Sequence, residues 1–196
     1  MLFAFALCAA HAEVRVTDDA GHSVMLAAPA KRVISLGPHL TELAYAAGGG
    51  DTLVGVIRYS DFPEAAKKLP IVGDAHAIDF ERIAQLKPDL VLVWGSGLNE
   101  RHKARLRSLG LAVYESEIRQ AQGIADTLRR LGTLLGRTDS AEAAAYRFET
   151  QWQALAEPGV LEWLGERVGV ELFQADEAHV GDDRTFFDDH GDLGHG

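Results

Sequence analysis

Leu90-Val91-Leu92-Val93-Trp94 is a continuous apolar run of five residues. A run with no polar face predicts a parallel strand covered on both sides. Arg32–Leu36, Leu53–Val56 and Ala112–Tyr114 are shorter runs of the same kind, and Ile71-Val72 is a brief extended piece. Helical patterns separate them. Leu40–Ala47 is closed by Gly48-Gly49-Gly50, and a helix capped by Asp79 runs to Leu86 and stops before Pro88. Asn99–Leu109 ends at Gly110, Ala121–Leu135 ends at Gly136, and Ser140 caps a helix reaching Glu157, ahead of Pro158. Upstream, Val14–Thr17 and Ser23–Leu26 flank the turn Asp18-Asp19-Ala20-Gly21 and predict a hairpin. Strand–helix alternation of this kind predicts an α/β lobe, Rossmann-like, with a short parallel sheet flanked by helices. Ligands of such sheets sit beyond the carboxyl ends of the strands. The loops after Leu36, Val56 and Trp94 are therefore the places to look for function.

Both ends of the chain break this pattern. Residues 1–12 are apolar with no Lys, Arg or acid, and Ala10-His11-Ala12 is a small-x-small cleavage pattern. They predict a secretory signal remnant whose basic start lies upstream. A buried N-terminal strand is the alternative. Cys8 is the single cysteine, so no disulfide closes within the chain and Cys-rich zinc sites are excluded. Beyond Pro158, Val168–Phe173 suits one strand, but 176–196 is acidic, with Arg184 as its one base and no period. That composition predicts a solvated, disordered segment. His179, His190 and His195 are scattered in it at spacings that match no metal motif.

Composition excludes some function classes. The 196 residues carry a net charge of −10, which argues against nonspecific nucleic-acid binding, since that needs basic residues to displace counterions. No apolar stretch reaches the ~20 residues of a membrane-spanning helix. Enzyme motifs are missing. Gly95-Ser96-Gly97 lacks the spacing of a Gly-x-Ser-x-Gly elbow, Gly48-Gly49-Gly50 follows a helix rather than a strand, and no phosphate-cradling loop is present.

A series of local matches is more specific. Arg32–Leu43 (Arg-Val-Ile-Ser-Leu-Gly-Pro-His-Leu-Thr-Glu-Leu), Gly48–Val56, Tyr59-Ser60-Asp61-Phe62-Pro63 and Val72-Gly73-Asp74 follow one another, then Asp79–Ile83, Leu86–Val91 and Trp94. In order and spacing, from about residue 13 to 157, they resemble the substrate-binding proteins of ABC importers for vitamin B12, ferric siderophores and haem. These are the helical-backbone type, and the Tyr-Ser-Asp loop is most similar to the cobalamin-binding branch. The resemblance implies two α/β lobes joined by one long helix, with ligand held between them. Residues 13–139 match the first lobe, and 140–157 match the start of the connecting helix, which would reach about 27 Å. A second lobe needs about a hundred more residues. Only 39 follow Glu157, and 158–196 do not resemble the family, so a frameshifted or truncated tail is expected.

The resemblance also assigns residues. Tyr59 and Trp94 match positions that line the B12 pocket; core packing is the alternative for each. His39 opens a helix near the cleft and is assigned a pocket-lining or capping role. With His76 it makes two candidate zinc ligands, short of the three or four required. His76 lies in a loop where the family often has an aromatic, and Ala75 removes that stacking surface. It is either an axial ligand to cobalt or haem iron or a free surface histidine. Glu81 matches a glutamate that pairs with permease arginines, and a first-turn acid favoured by the helix dipole is its alternative. The implied function is periplasmic binding of cobalamin and its delivery to permease and ATPase subunits. A ferric siderophore or haem, an inactive fragment, and an exported α/β enzyme are the alternatives. No catalytic residue, metal site, resident cofactor or membrane insertion is expected, and the chain is expected as a monomer.

Overall fold

The structure, a computed structural model, describes residues 13–74 and 76–155. The expectations for 1–12, 156–157 and 158–196 lie outside the described residues. Strands β1 (Val14–Thr17) and β2 (Ser23–Leu26) form the antiparallel hairpin. Then come β3 (Val33–Leu36), α1 (Pro38–Ala46), β4 (Leu53–Val56), α2 (Phe80–Leu86), β5 (Leu90–Trp94), α3 (Glu100–Ser108), β6 (Val113–Ser116), α4 (Ala121–Leu135) and α5 (Thr138–Leu155). The sheet is parallel throughout, in the order β4-β3-β5-β6.

Both faces of this sheet are covered, and residue parity decides which face each side chain takes. Val33, Leu90, Leu92 and Tyr114 pack with Leu40 and Ala44 of α1 and Leu128 and Leu131 of α4. Ile34, Leu36, Val91, Val93 and Val113 pack with Ile83 of α2 and Leu106 of α3. Each fully buried aliphatic side chain contributes about 1.5–3 kcal/mol. Short-range chemistry ends the elements where the sequence places the punctuation. The Asp79 carboxylate accepts the Arg82 amide at 2.9 Å, and Asn99 Oδ1 accepts the His102 amide at 2.9 Å. Gly136 closes α4 at φ 65°, where a Cβ would also approach Pro29 to 2.9 Å.

Three boundaries differ from the sequence expectation. Helix α1 opens at Pro38, whose missing N–H costs nothing at a first helical position. Helix α5 opens at Thr138, so Ser140 lies inside it rather than capping it. The reversal at Gly136 is tight enough for the Arg137 amide to reach Gly132 O at 2.7 Å, which leaves no linker. Strand β6 runs on through Glu115 and Ser116, pairing with Val93 and Trp94. A charged residue in a buried strand reads as a strand end. Here Glu115 is neutralised by Lys103 Nζ at 2.5 Å and Arg107 at 3.0 Å. No helix among the described residues is long and apolar enough to cross a membrane.

Arg129 of α4 ties α5 to the lobe through Glu142 (2.9 and 3.0 Å) and Glu149 (2.8 and 2.9 Å). Hydrogen bonds from Arg129 and then Gln122 push the Glu149 carboxyl down to about 2. A depressed carboxyl pKa adds stability in full above the ordinary value near 4.5, and that stability is lost as pH falls toward 2. Urea titrations of Arg129→Met should show a lower midpoint than wild type at pH 7 and a smaller gap at pH 2.5. An equal gap at both pH values would sink this assignment.

Candidate ligand site at the carboxyl edge of the sheet

Trp94 is the last residue of β5 and shares parity with Leu90 and Leu92, which directs it toward the α1 and α4 layer. There it borders a hollow of about 400 Å³ lined by His39, Glu42, Leu43, Trp94, Ile118 and Ile124. His39, Glu42 and Leu43 lie three and four residues apart on α1, so they share one face. Ile118 lies in the β6–α4 connection and Ile124 in the first turn of α4. The His39 ring meets Trp94 edge to face, centroids 5.5 Å apart at 86°. Burial lowers the His39 pKa from its ordinary value, against the opposing pull of Glu42 and Glu117. At neutral pH the imidazole is therefore uncharged. The hollow thus combines an indole, a neutral imidazole and aliphatic walls with carboxylates close by. That set suits a broad, flat ligand with hydrogen-bond donors on its rim.

Tyr59 follows β4 at the same sheet edge, with β3 between it and β5, a span of about 10 Å at ordinary strand spacing. The residue is 74% exposed and its backbone is left-handed, φ 69°. That conformation costs a non-glycine residue about 1–2 kcal/mol. Its neighbours hold it there. The Arg58 amide bonds Gly73 O at 2.9 Å, and buried Ser60 receives a hydrogen bond from the Thr41 hydroxyl at 3.1 Å. Phe62 is exposed beside it.

His76 and Glu81 lie elsewhere. His76 is exposed in the loop pinned by the Gly73–Ile78 bridge, outboard of β4, and does not line the hollow. Its amide and that of Ala77 hydrogen-bond Asp74 Oδ1 at 2.9 and 3.1 Å, which lowers the Asp74 pKa. Glu81 is exposed in the first turn of α2, and α2 packs on the sheet face opposite α1. So the structure brings His39 and Trp94 together, sets Tyr59 along the same edge, and leaves His76 and Glu81 apart from them.

Sequence reasoning missed Glu42, Leu43, Ile118 and Ile124. Helical spacing from His39 was the available signal for the first two. Ile118 needed the true end of β6. One cluster with metal-binding residue types occurs among the described residues, Asp18, His22 and Glu115. Glu115 already pairs with Lys103 and Arg107, so its charge is spent within the fold.

Two outcomes are expected. In an NMR titration, His39 should show a pKa below 6.5, and Glu42→Gln should lower it further; an unchanged or raised value would refute the electrostatic assignment. Tyr59→Asn should raise the unfolding free energy by about 0.5 kcal/mol or more, because asparagine tolerates the left-handed region. A lower free energy in urea unfolding would show that the exposed ring makes stabilising contacts after all.

The family described as periplasmic binding protein matches residues 33–158. The vitamin B12-binding protein of Vibrio cholerae serotype O1 is 42% identical over 127 residues, 65% of this chain and 46% of that protein. The vitamin B12-binding protein of Yersinia pseudotuberculosis is 46% identical over 119 residues, 61% of this chain and 42% of that one. Among solved structures, the periplasmic vitamin B12-binding protein of Vibrio cholerae aligns with TM-score 0.63 at 42% identity, covering 65% of this chain and 50% of that one. A periplasmic haem-binding protein from Pseudomonas aeruginosa aligns with TM-score 0.62 at 28% identity, covering 71% and 49%. The chain spans about half the length of the curated relatives it matches. With the matched region running from the first strand of the parallel sheet through α5, the chain belongs to the periplasmic binding protein family.

Proposed function

We propose that this protein is a substrate-binding component of an ABC importer, exported to the periplasm, that binds a corrinoid of the cobalamin type. The likeness to vitamin B12-binding proteins carries this reading. The hollow at the sheet edge is chemically consistent with it. A corrin is broad, flat and rimmed by amides. Trp94 and Tyr59 offer aromatic faces, and Glu42 offers an acceptor for amide N–H groups. The neutral His39 places no uncompensated cation against the macrocycle. Transport would need no covalent step here, with ATP hydrolysis left to partner subunits. Glu81, on the opposite sheet face from the hollow, would engage arginines of the permease while ligand is held.

Haem is the second reading, favoured by the fold shared with the haem-binding protein. It needs an axial ligand. His39 is at the hollow, whereas His76 stands at the sheet margin.

Calorimetric titration of the full chain with cyanocobalamin should give a Kd of about 1 μM or tighter. Trp94→Ala should weaken it by about tenfold or more, as expected for a central aromatic contact. Glu81→Lys should spare affinity and reduce capture by the permease complex. Haemin is the control: a Soret shift that His39→Ala or His76→Ala abolishes, with no cyanocobalamin heat, would replace the corrinoid reading with the haem one. No binding of either by folded protein would overturn both.

A further inference from the structure

The Gly95-Ser96-Gly97 segment, which fits no nucleophile motif, has an evident mechanical part to play. It leaves β5 directly after Trp94 and is bound on three sides. The Gly95 amide donates to Ser116 O at 2.9 Å, which continues the β5–β6 ladder one residue past Trp94. The Leu98 amide closes back on Trp94 O at 3.1 Å. Glu117, just beyond β6, accepts two hydrogen bonds from Ser96, from its amide to Oε2 at 2.7 Å and from its hydroxyl to Oε1 at 3.1 Å. Glu117 is itself fixed, because its amide donates to Asp19 Oδ2 at 2.7 Å.

Packing rather than an unusual φ calls for glycine at 97, while at 95 a side chain would crowd only the end of the Glu117 carboxylate. A Cβ at Gly95 would stand 2.9 Å from Glu117 Oε2. A Cβ at Gly97 would overlap the Trp94 indole at Cε3, Cδ2 and Cζ3. The indole therefore lies against the bare backbone of Gly97, while His39 meets it edge to face. Trp94 is 42% exposed, and a large side chain that exposed is not held by burial alone.

We infer that Gly97 and Glu117 are positioning residues for Trp94: the glycine provides the surface on which the indole lies, and the carboxylate holds the turn that carries that glycine. This extends the ligand reading above and rests on it where affinity is concerned. A prefixed aromatic wall spares the ligand the entropy of ordering it. The Glu117 charge is not what does this. A glutamine can accept the Ser96 amide through its oxygen and donate to the Ser96 hydroxyl through its nitrogen, so the hydrogen-bond geometry survives loss of the charge.

The test uses Gly97→Ala, Glu117→Ala and Glu117→Gln in the full chain, each also combined with Trp94→Ala. Ligand-free near-UV circular dichroism reads the Trp94 environment, with the Trp94→Ala spectrum as reference and far-UV spectra to check folding. Cyanocobalamin titration reads the consequence. Gly97→Ala and Glu117→Ala should lose the Trp94 signal and bind about tenfold more weakly, while Glu117→Gln keeps the signal and binds within about twofold of wild type. In the Trp94→Ala background none of the three should weaken binding further. Additive losses in that background, or an unchanged Trp94 signal in both Gly97→Ala and Glu117→Ala, would overturn the inference. If wild type binds no cyanocobalamin, the ligand reading fails separately, and the ligand-free signal still decides whether these residues position Trp94.

Discussion

A parallel strand buried on both faces must send alternate side chains to opposite layers, and in β5 this constraint decides where the candidate site falls. Leu90 and Leu92 face α1 and α4, and Val91 and Val93 face α2 and α3, so Trp94 at the end of the run falls on the α1 side beside His39. The register that fixes it is Val33 opposite Leu90 on one flank and Val91 opposite Val113 on the other. A slip of one residue would turn the indole toward α2 and push two valines into the wrong layer. The position of the aromatic wall is thus inherited from core packing several residues away.

The far side of the hollow depends on charges. Strand β6 ends in Glu115 and Ser116, and the connection to α4 carries Ile118. Glu115 is held by Lys103 and Arg107 from α3, and its amide donates to Asp18 Oδ2 at 3.3 Å. Asp19 accepts the Glu117 amide and pairs with Arg130 of α4. The small hairpin β1–β2, remote from the hollow in sequence, therefore braces the edge on which Ile118 and Glu117 sit. Within this ion network the Lys103–Glu115 pair is the buried part, and removing one of those partners leaves an uncompensated buried charge and costs about 3–5 kcal/mol. This is the reason to regard Asp18, His22 and Glu115 as a brace rather than a metal site.

What the sequence made legible was local. The strand runs, the Asp79 cap and the glycine stops depend on neighbours a few residues away, and they stand where the pattern placed them. Less legible was whatever needed a partner from another element. The end of β6 was obscured because Glu115 looks solvent-facing until Lys103 and Arg107 are known to meet it. His39, opening a helix, and His76, in a loop, were both candidate pocket histidines. Sheet order separates them, since the strip at Ile71 pairs outside β4 while His39 follows β3 in the middle of the sheet. Glu42 and Leu43 were readable from helical spacing once His39 was chosen. Gly97 was not, because nothing in Gly-Ser-Gly announces an indole folded back over it.

Tyr59 and Trp94 then stand as two solutions to one problem, how to keep a large apolar ring at a wet edge. Trp94 has a partner on its face and another at its edge, and its backbone is an ordinary strand end. Tyr59 is exposed and sits on a strained residue, which the Thr41–Ser60 hydrogen bond helps to hold in place. Strain of 1–2 kcal/mol is about a tenth of the stability of a typical domain, and an exposed ring does little to offset it in the free protein. Under the corrinoid reading the offset comes on binding, when the ring gains a macrocycle face to cover. Trp94 would then act as a fixed wall whose geometry is set by folding. Tyr59 would be the member whose conformation makes most sense with ligand present.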